Sequence, residues 1–268
     1  MVIKMAENIL FVLGLGKMGK WFKDSLEKFF ANNPEYNGWK VLGYDKNMNV
    51  PIESVLDQAP SVVLNCVSLD NVVDAFKSIE SFTNEETVLC DIASVKGILA
   101  QYYASCNRKF VSFHPMFGPT FAKMDKIQGE NVIFIKGSDE ETMMLFEEFF
   151  ARYSMKFFYL TFDEHDEMMA YSLSIPFIAS FVFGSRVDNT IVPGTTFKKH
   201  LNILTGLLNE DERLIAEILF NEHSIKEIEK ISSNLEYLKH IVMDKDSEEL
   251  SKFLKKLRLR FGDVIKNV

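Results

Sequence analysis

The stretch "NILFVLGLGKMGKWFKDSLEKFF", Asn8 to Phe30, decides how the first half of the chain is read. Ile9–Leu13 is an unbroken apolar run, short enough for a strand buried on both faces. Gly14, Gly16 and Gly19 follow in G-x-G-x-x-G spacing, and an amphipathic helical pattern starts at once. That spacing means little alone, but between a strand and a helix it acquires a physical purpose. Gly14 permits a tight turn, Gly16 lets backbone approach a pyrophosphate with no Cβ in the way, and Gly19 lets the helix pack close to the strand. The helix N-terminus then offers free N–H groups and a partial positive charge to the phosphates. Glycines that merely turn a corner are the plainer alternative.

Outward from this motif, short apolar runs alternate with helical stretches. The strand candidates are Ile9–Leu13, Lys40–Tyr44, Ser61–Val67, Thr87–Asp91, Phe110–Phe113, Asn131–Lys136 and Lys156–Leu160. Helical spacing appears between several of them, as in "DNVVDAFKSIESF". The alternation predicts an α/β domain over 1–162, a Rossmann-type, doubly wound and mostly parallel sheet with right-handed crossovers. "KVLGYDKN" ends its strand at Asp45, where a carboxylate can accept bonds from both ribose hydroxyls and repel a 2′-phosphate. This favours NAD, although the adjacent Lys46 would tolerate a phosphate. Leu15, Lys17 and Met18 in the glycine turn, with Val67 and Ser68 after the third strand, complete the expected cofactor contacts.

Past residue 162 the strand pattern stops. Helical runs are expected over Asp166–Val187, with a kink at Pro176, and over Thr196–Leu208, Glu210–Phe220, Ser224–Met243 and Ser247–Phe261. Residues 163–268 read as an all-helical substrate and dimerisation domain. So much apolar helix surface in so small a bundle is expected to complete its core against a second copy, a homodimer.

Composition narrows the function. The 268 residues are 47% hydrophobic and 25% charged, which suits a globular chain. A net charge of -8 argues against a nucleic-acid partner. Charges and polar residues interrupt the longest apolar runs short of a membrane span, so no membrane partner is expected. Cys66, Cys90 and Cys106 are too few and scattered for a disulfide framework or a zinc site, and a cytoplasmic location fits. Asp163, His165 and Asp166 look like metal ligands on paper, but their place before a long helix reads as capping and dipole compensation, and no metal is expected. His200, His223 and His240 read as surface residues.

"FVSFHPMFGPT", Phe110 to Thr120, places a histidine at the mouth of an apolar strand and follows it with a rigid turn. "TVLCDIASVKG" delivers Ser94, Val95 and Lys96 to the same carboxyl edge, where ligands bind in open α/β sheets. Ser94 and His114 could be hydrogen-bonding neighbours facing a nicotinamide, with the imidazole removing a hydroxyl proton during hydride transfer. By spacing alone, a single histidine at a strand end reads more readily as structural.

"DIASVKG" followed by "HPMFGP", after a strand–glycine-turn–helix unit, resembles the prephenate dehydrogenase family. "EHDEMMA", Glu164 to Ala170, resembles the start of that family's helical domain, and the similarity runs from Ile9 to about Gly262. The resemblance implies a dinucleotide-binding domain, a dimeric helical domain, and oxidative decarboxylation of prephenate to 4-hydroxyphenylpyruvate in tyrosine biosynthesis, or of its amino analogue arogenate. It makes His114 the group that deprotonates the ring hydroxyl and Ser94 the group that orients it and touches the same hydroxyl.

Three positions depart from the family's pattern. Phe177 stands where a histidine is common, Gly206 where an arginine is, and Thr120 where an acid is. Lys198 and Lys199 are the nearest cations left to bind a substrate carboxylate. These differences bear on the substrate more than on the reaction. A related dehydrogenase acting on another small cyclic or hydroxy acid is one alternative. The β-hydroxyacid dehydrogenases share "GLGKMG" but place a lysine on the first long interdomain helix, and the run from Asp166 has none. A nucleotide-binding homologue that has lost catalysis is another. A chain starting at the glycine turn leaves no expected room for a chorismate mutase domain ahead or a regulatory domain behind.

Overall fold

The structure, a computed structural model, describes residues 8–118, 127–188 and 192–265. Seven strands form one sheet, β1 (Ile9–Leu13), β2 (Lys40–Tyr44), β3 (Val62–Asn65), β4 (Val88–Asp91), β5 (Phe110–Pro115), β6 (Asn131–Ile135) and β7 (Lys156–Leu160), in the order β2-β1-β3-β4-β5-β6-β7. All neighbours are parallel except β5 and β6. The order reverses direction between β1 and β3, and the ligand crevice of a doubly wound sheet opens at such a switch point.

Helices cover both faces, which explains why the strands are apolar on both sides. Leu10 and Val12 of β1 face a cluster with Phe22, Leu26 and Phe29 of α1 (Lys17–Asn32) and Phe146, Phe149 and Phe150 of α4 (Glu140–Ala151). Ile9, Phe11 and Leu13 face the other way, onto Val72 and Phe76 of α2 (Leu69–Ser78) and Leu99 and Tyr103 of α3 (Gly97–Cys106).

One detail of the sheet positions the site. β5 runs two residues further than its apolar pattern suggests. Phe110–Ser112 pair with β4, whereas Phe113, His114 and Pro115 pair antiparallel with Phe134, Ile133 and Val132 of β6. The strand changes partner after Ser112, where its pairing with β4 ends. His114 is therefore a strand residue held by β6, not the first residue of a loop. Pro119 and Thr120 lie outside the described residues.

After β7 every described element is helical: α5 (Phe162–Met169), a π-helical turn (Ala170–Ser174), α6 (Ile175–Gly184), α7 (Thr195–Leu207), α8 (Glu212–Leu219), α9 (Ser224–Asp244) and α10 (Ser247–Ile265). Where a kink at Pro176 is expected, a π-helical turn precedes it and Pro176 stands in the first turn of α6, where its lack of an N–H donor is tolerated. Ser174 in that turn is buried and bonds the Ile218 carbonyl at 3.0 Å and the Ser224 hydroxyl at 2.8 Å.

The expectation that apolar runs stay short of a membrane span is corrected on one count. Among the described residues, Phe162–Gly184 is long and apolar enough to cross a membrane by length and composition, because its charges gather at its N-terminal end. Its outer surface belongs to a wider pattern. The helical region has a small core around Phe177, Leu207 and Ile218, and it leaves Val182, Leu208, Phe220, Ile225, Leu235 and Val242 exposed.

Candidate active site

The glycine turn is built as its spacing implies. Gly14 sits at φ +90°, and a Cβ there would lie 2.7 Å from Cγ1 of Val67. At Gly19 a Cβ would fall 1.9 Å from the Gly14 carbonyl oxygen, so helix and turn touch backbone to backbone. Gly16 has open space around its missing Cβ. It begins α1, which has no side-chain cap and no acid in its first turn, so its N–H groups and dipole are free for an anion. Asp45 accepts the Leu15 N–H at 2.9 Å and the Asn47 N–H at 2.9 Å. These bonds, Asn47's foremost, hold its carboxyl below the usual range, and they tie the end of β2 to the turn. The arrangement fits a dinucleotide: an open phosphate cradle, a free helix end and an ionised acid beside it.

His114 and Ser94 line one cavity of about 220 Å³ beside this turn. Met18, Val67 and Ser68 line it too, as do Leu69, Glu210, Leu214 and Glu217, so it lies between the sheet edge and α8. Lys17 is exposed at the start of α1, and Lys198 and Lys199 are exposed on α7. None of the three lysines lines the cavity. Its charged lining groups among the described residues are Glu210 and Glu217, both acids. Burial raises the Glu217 carboxyl, and its Oε1 is buried with no hydrogen-bond partner.

Two sequence expectations need correction. Ser94 and His114 share the cavity, but no hydrogen bond joins them among the described residues. The partner of His114 Nδ1 is instead Nε2 of His165, at 3.1 Å. His165 Nδ1 meets Oδ1 of Asp166 at 2.7 Å. His165 and Asp166 are thus buried partners of His114 and Lys96 and not helix caps. Capping of α5 is already complete, because Thr161 and Glu164 form a reciprocal capping box. The "TFDE" that starts this helix carries that signal in the sequence, and it left His165 and Asp166 free for another role. Asp163 alone is exposed, beside Glu222 and with its Oδ1 3.1 Å from Nε2 of the half-buried His223.

Lys96 anchors the arrangement. Its side chain is fully buried, ion-paired with Asp91 and donating to the Phe113 carbonyl at 2.9 Å. Tyr103 donates to the other oxygen of Asp91 at 3.0 Å. The Lys96 backbone N–H donates to both oxygens of Asp166, at 2.8 and 3.0 Å. So Lys96 does not reach the ligand edge, as the spacing implied. It fixes the residue before His114 and the carboxylate behind His165.

Burial is the main cause of the shifts at His114, His165 and Asp166. It pushes the His114 imidazole well below its usual value, helped by His165 and the Lys96 ammonium. It pushes His165 down to about 3 and raises Asp166 against the Lys96 N–H bonds. Both imidazoles are therefore neutral near pH 7, the form in which a ring nitrogen can accept a proton.

A family model described as "Prephenate dehydrogenase, nucleotide-binding domain" matches residues 37–157. The T-protein of Enterobacter agglomerans is 24% identical over 225 residues, which are 81% of this chain and 57% of that protein. The chain thus spans little more than half the length of that curated relative. Among solved structures, a prephenate dehydrogenase from A. aeolicus in complex with hydroxyphenyl propionate and NAD+ superposes with a TM-score of 0.78 at 21% identity, over 97% of this chain and 99% of that one. Synechocystis arogenate dehydrogenase gives a TM-score of 0.72 at 16% identity, over 97% and 100%. Fold, glycine turn and family match together define a nucleotide-binding domain of the dinucleotide-binding type. Residues 37–157 are thus similar to the nucleotide-binding domain of the prephenate dehydrogenases, and the whole chain shares its fold with solved structures of such enzymes.

Two outcomes follow from this geometry. Gly19→Ala forces backbone apart and should lower the unfolding free energy by about 3 kcal/mol or more, while Gly16→Ala should leave it unchanged and weaken NAD binding. Urea unfolding and NAD titration of the two variants check this, and equal effects would contradict the separate roles. Second, two buried neutral histidines make stability fall with acid. Below about pH 6.5 the unfolded chain binds protons that the folded chain refuses, costing about 1.4 kcal/mol per pH unit for each histidine. Stability should be flat above that pH and decline below it towards the folded values. His114→Asn should make the decline shallower, as urea unfolding between pH 7.5 and 5.5 would show.

Proposed function

We propose that this chain catalyses NAD-dependent oxidative decarboxylation of prephenate to 4-hydroxyphenylpyruvate, with residues 163–268 as its substrate and dimerisation domain. The observation that carries this reading is the shared cavity of His114 and Ser94 beside Val67, Ser68 and Met18 at the glycine turn. His114 takes the proton as the ring O–H bond breaks. The adjacent C–H bond breaks with transfer of hydride to the nicotinamide. The C–C bond to the carboxylate then breaks, its electron pair makes the ring aromatic, and the proton returns to the phenolic oxygen. No net proton is released. Aromatisation drives the step, so the protein's part is to position the ring and hold one proton. Ser94, which lines the same cavity, bonds the ring hydroxyl in this reading. The family match and the likeness to an NAD+-bound dehydrogenase support the reading. Three free cysteines agree with a cytoplasmic setting.

A second reading has one specific observation in its favour. Glu210 and Glu217 line the cavity without a described lysine or arginine, and Glu217 Oε1 lacks a donor. Prephenate would bring two carboxylates to these acids. Arogenate replaces the keto group with an ammonium, which supplies a donor and a positive charge.

Purified chain with NAD+ and either acid, followed by absorbance of reduced nicotinamide, tests both. Turnover of one acid is expected, and His114→Asn should lower kcat by about 10³-fold with NAD affinity unchanged. If arogenate is the substrate, Glu217→Gln should shift relative kcat/KM towards prephenate. Stabilisation by NAD without turnover of either acid would point instead to a homologue that binds nucleotide only. The homodimer is supported by the exposed apolar helices, such as Phe220 at 84% and Val242 at 71% exposure. Light scattering should return twice the chain mass of 30.8 kDa; a monomer at all concentrations would refute it.

A further inference from the structure

We propose that His165 and Asp166 are positioning residues that fix the proton of His114 on Nδ1, leaving Nε2 as the base. This inference rests on the proposed role of His114, but its first test does not. Both oxygens of Asp166 accept the Lys96 N–H, so the carboxylate is anchored as an acceptor. Its contact with His165 Nδ1 at 2.7 Å therefore takes a proton on that nitrogen. A neutral imidazole protonated at Nδ1 has a lone pair at Nε2. That lone pair lies 3.1 Å from His114 Nδ1, which must supply the donor. One assignment satisfies every contact, and it leaves the second nitrogen of His114 unprotonated on a residue that lines the cavity.

The same contacts serve the charged moment of the reaction. When the hydroxyl proton reaches Nε2, His114 becomes an imidazolium in a buried site that disfavours charge. Its bond to His165 then becomes charge-assisted, and the Asp166 carboxylate stands behind the second ring. Lys96 cannot take over this role, because its ammonium is a donor engaged by Asp91 and the Phe113 carbonyl.

NMR of protein carrying ¹⁵N-labelled histidine, with no substrate, reads the tautomer directly. The expected result is a His114 protonated at Nδ1 in the wild type; a His114 protonated at Nε2, or exchanging between forms, would overturn the proposal. For variants, His165→Leu should lower kcat by about 10–100-fold, with KM and NAD affinity within about twofold. His165→Gln, whose amide oxygen can accept the Nδ1 proton, should recover most of that loss. A folded His165→Leu protein with wild-type kcat would also overturn it. If neither acid is turned over by the wild type, the proposed reaction fails, while the tautomer measurement still decides the relay.

Discussion

Lys96 is bonded at both of its ends, and much of the site depends on that. Its ammonium is fully buried, held by Asp91 at the end of β4 and by the Phe113 carbonyl of β5. Its backbone N–H holds Asp166 of α5. One residue thus joins two strands to the first helix of the helical region. Burying an ammonium and a carboxylate costs several kcal/mol each before their attraction is counted, so the pair is poor support for stability as such. What it provides is register. The residue before His114 and the carboxylate behind His165 are set by the same side chain and its own backbone.

The change of partner along β5 is the second constraint. A fully parallel strand would have ended at the apolar pattern and left His114 on a loop. Pairing with antiparallel β6 carries the strand through His114 and Pro115 and turns the imidazole into a fixed part of the sheet. Past the last β4–β5 pair, Asp91 with Ser112, the Lys96 ammonium bridges the Asp91 carboxylate and the Phe113 carbonyl. The cavity in front of His114 is then closed by α8, which contributes Leu214 and Glu217. Its acidic character follows from what the helical region offers there. Phe177 is a core residue packed with Leu207 and Ile218, and α7 has its lysines on an exposed face. The cluster of Phe177, Leu207 and Ile218 is a small core for six helices, which is the physical ground for expecting a second copy over the exposed apolar faces.

The elements legible in the sequence were those with local causes. The strands matched their apolar runs within two residues at either end, because a strand covered on both faces must be apolar throughout. The glycine turn was readable because Gly14 answers a local need, a φ of +90°, and Gly19 touches Gly14 five residues before it. His114 and Ser94 were recognisable as candidates because strand ends meet at one edge of such a sheet. The capping box at Thr161 and Glu164 was also present in the letters, yet His165 and Asp166 were read as caps because their partners lie far away in sequence.

By itself, then, the sequence determined the α/β fold, the cradle for a dinucleotide and the sheet edge at which Ser94 and His114 gather. Only the tertiary structure decided that His114 leans on His165 and not on Ser94, that Lys96 is buried, and that the cavity is lined by glutamates. The reason is range. Propensity, periodicity and turn sterics act over a few residues and leave a local trace. A hydrogen bond across 51 positions, or one across 70, leaves none until the chain has closed on itself.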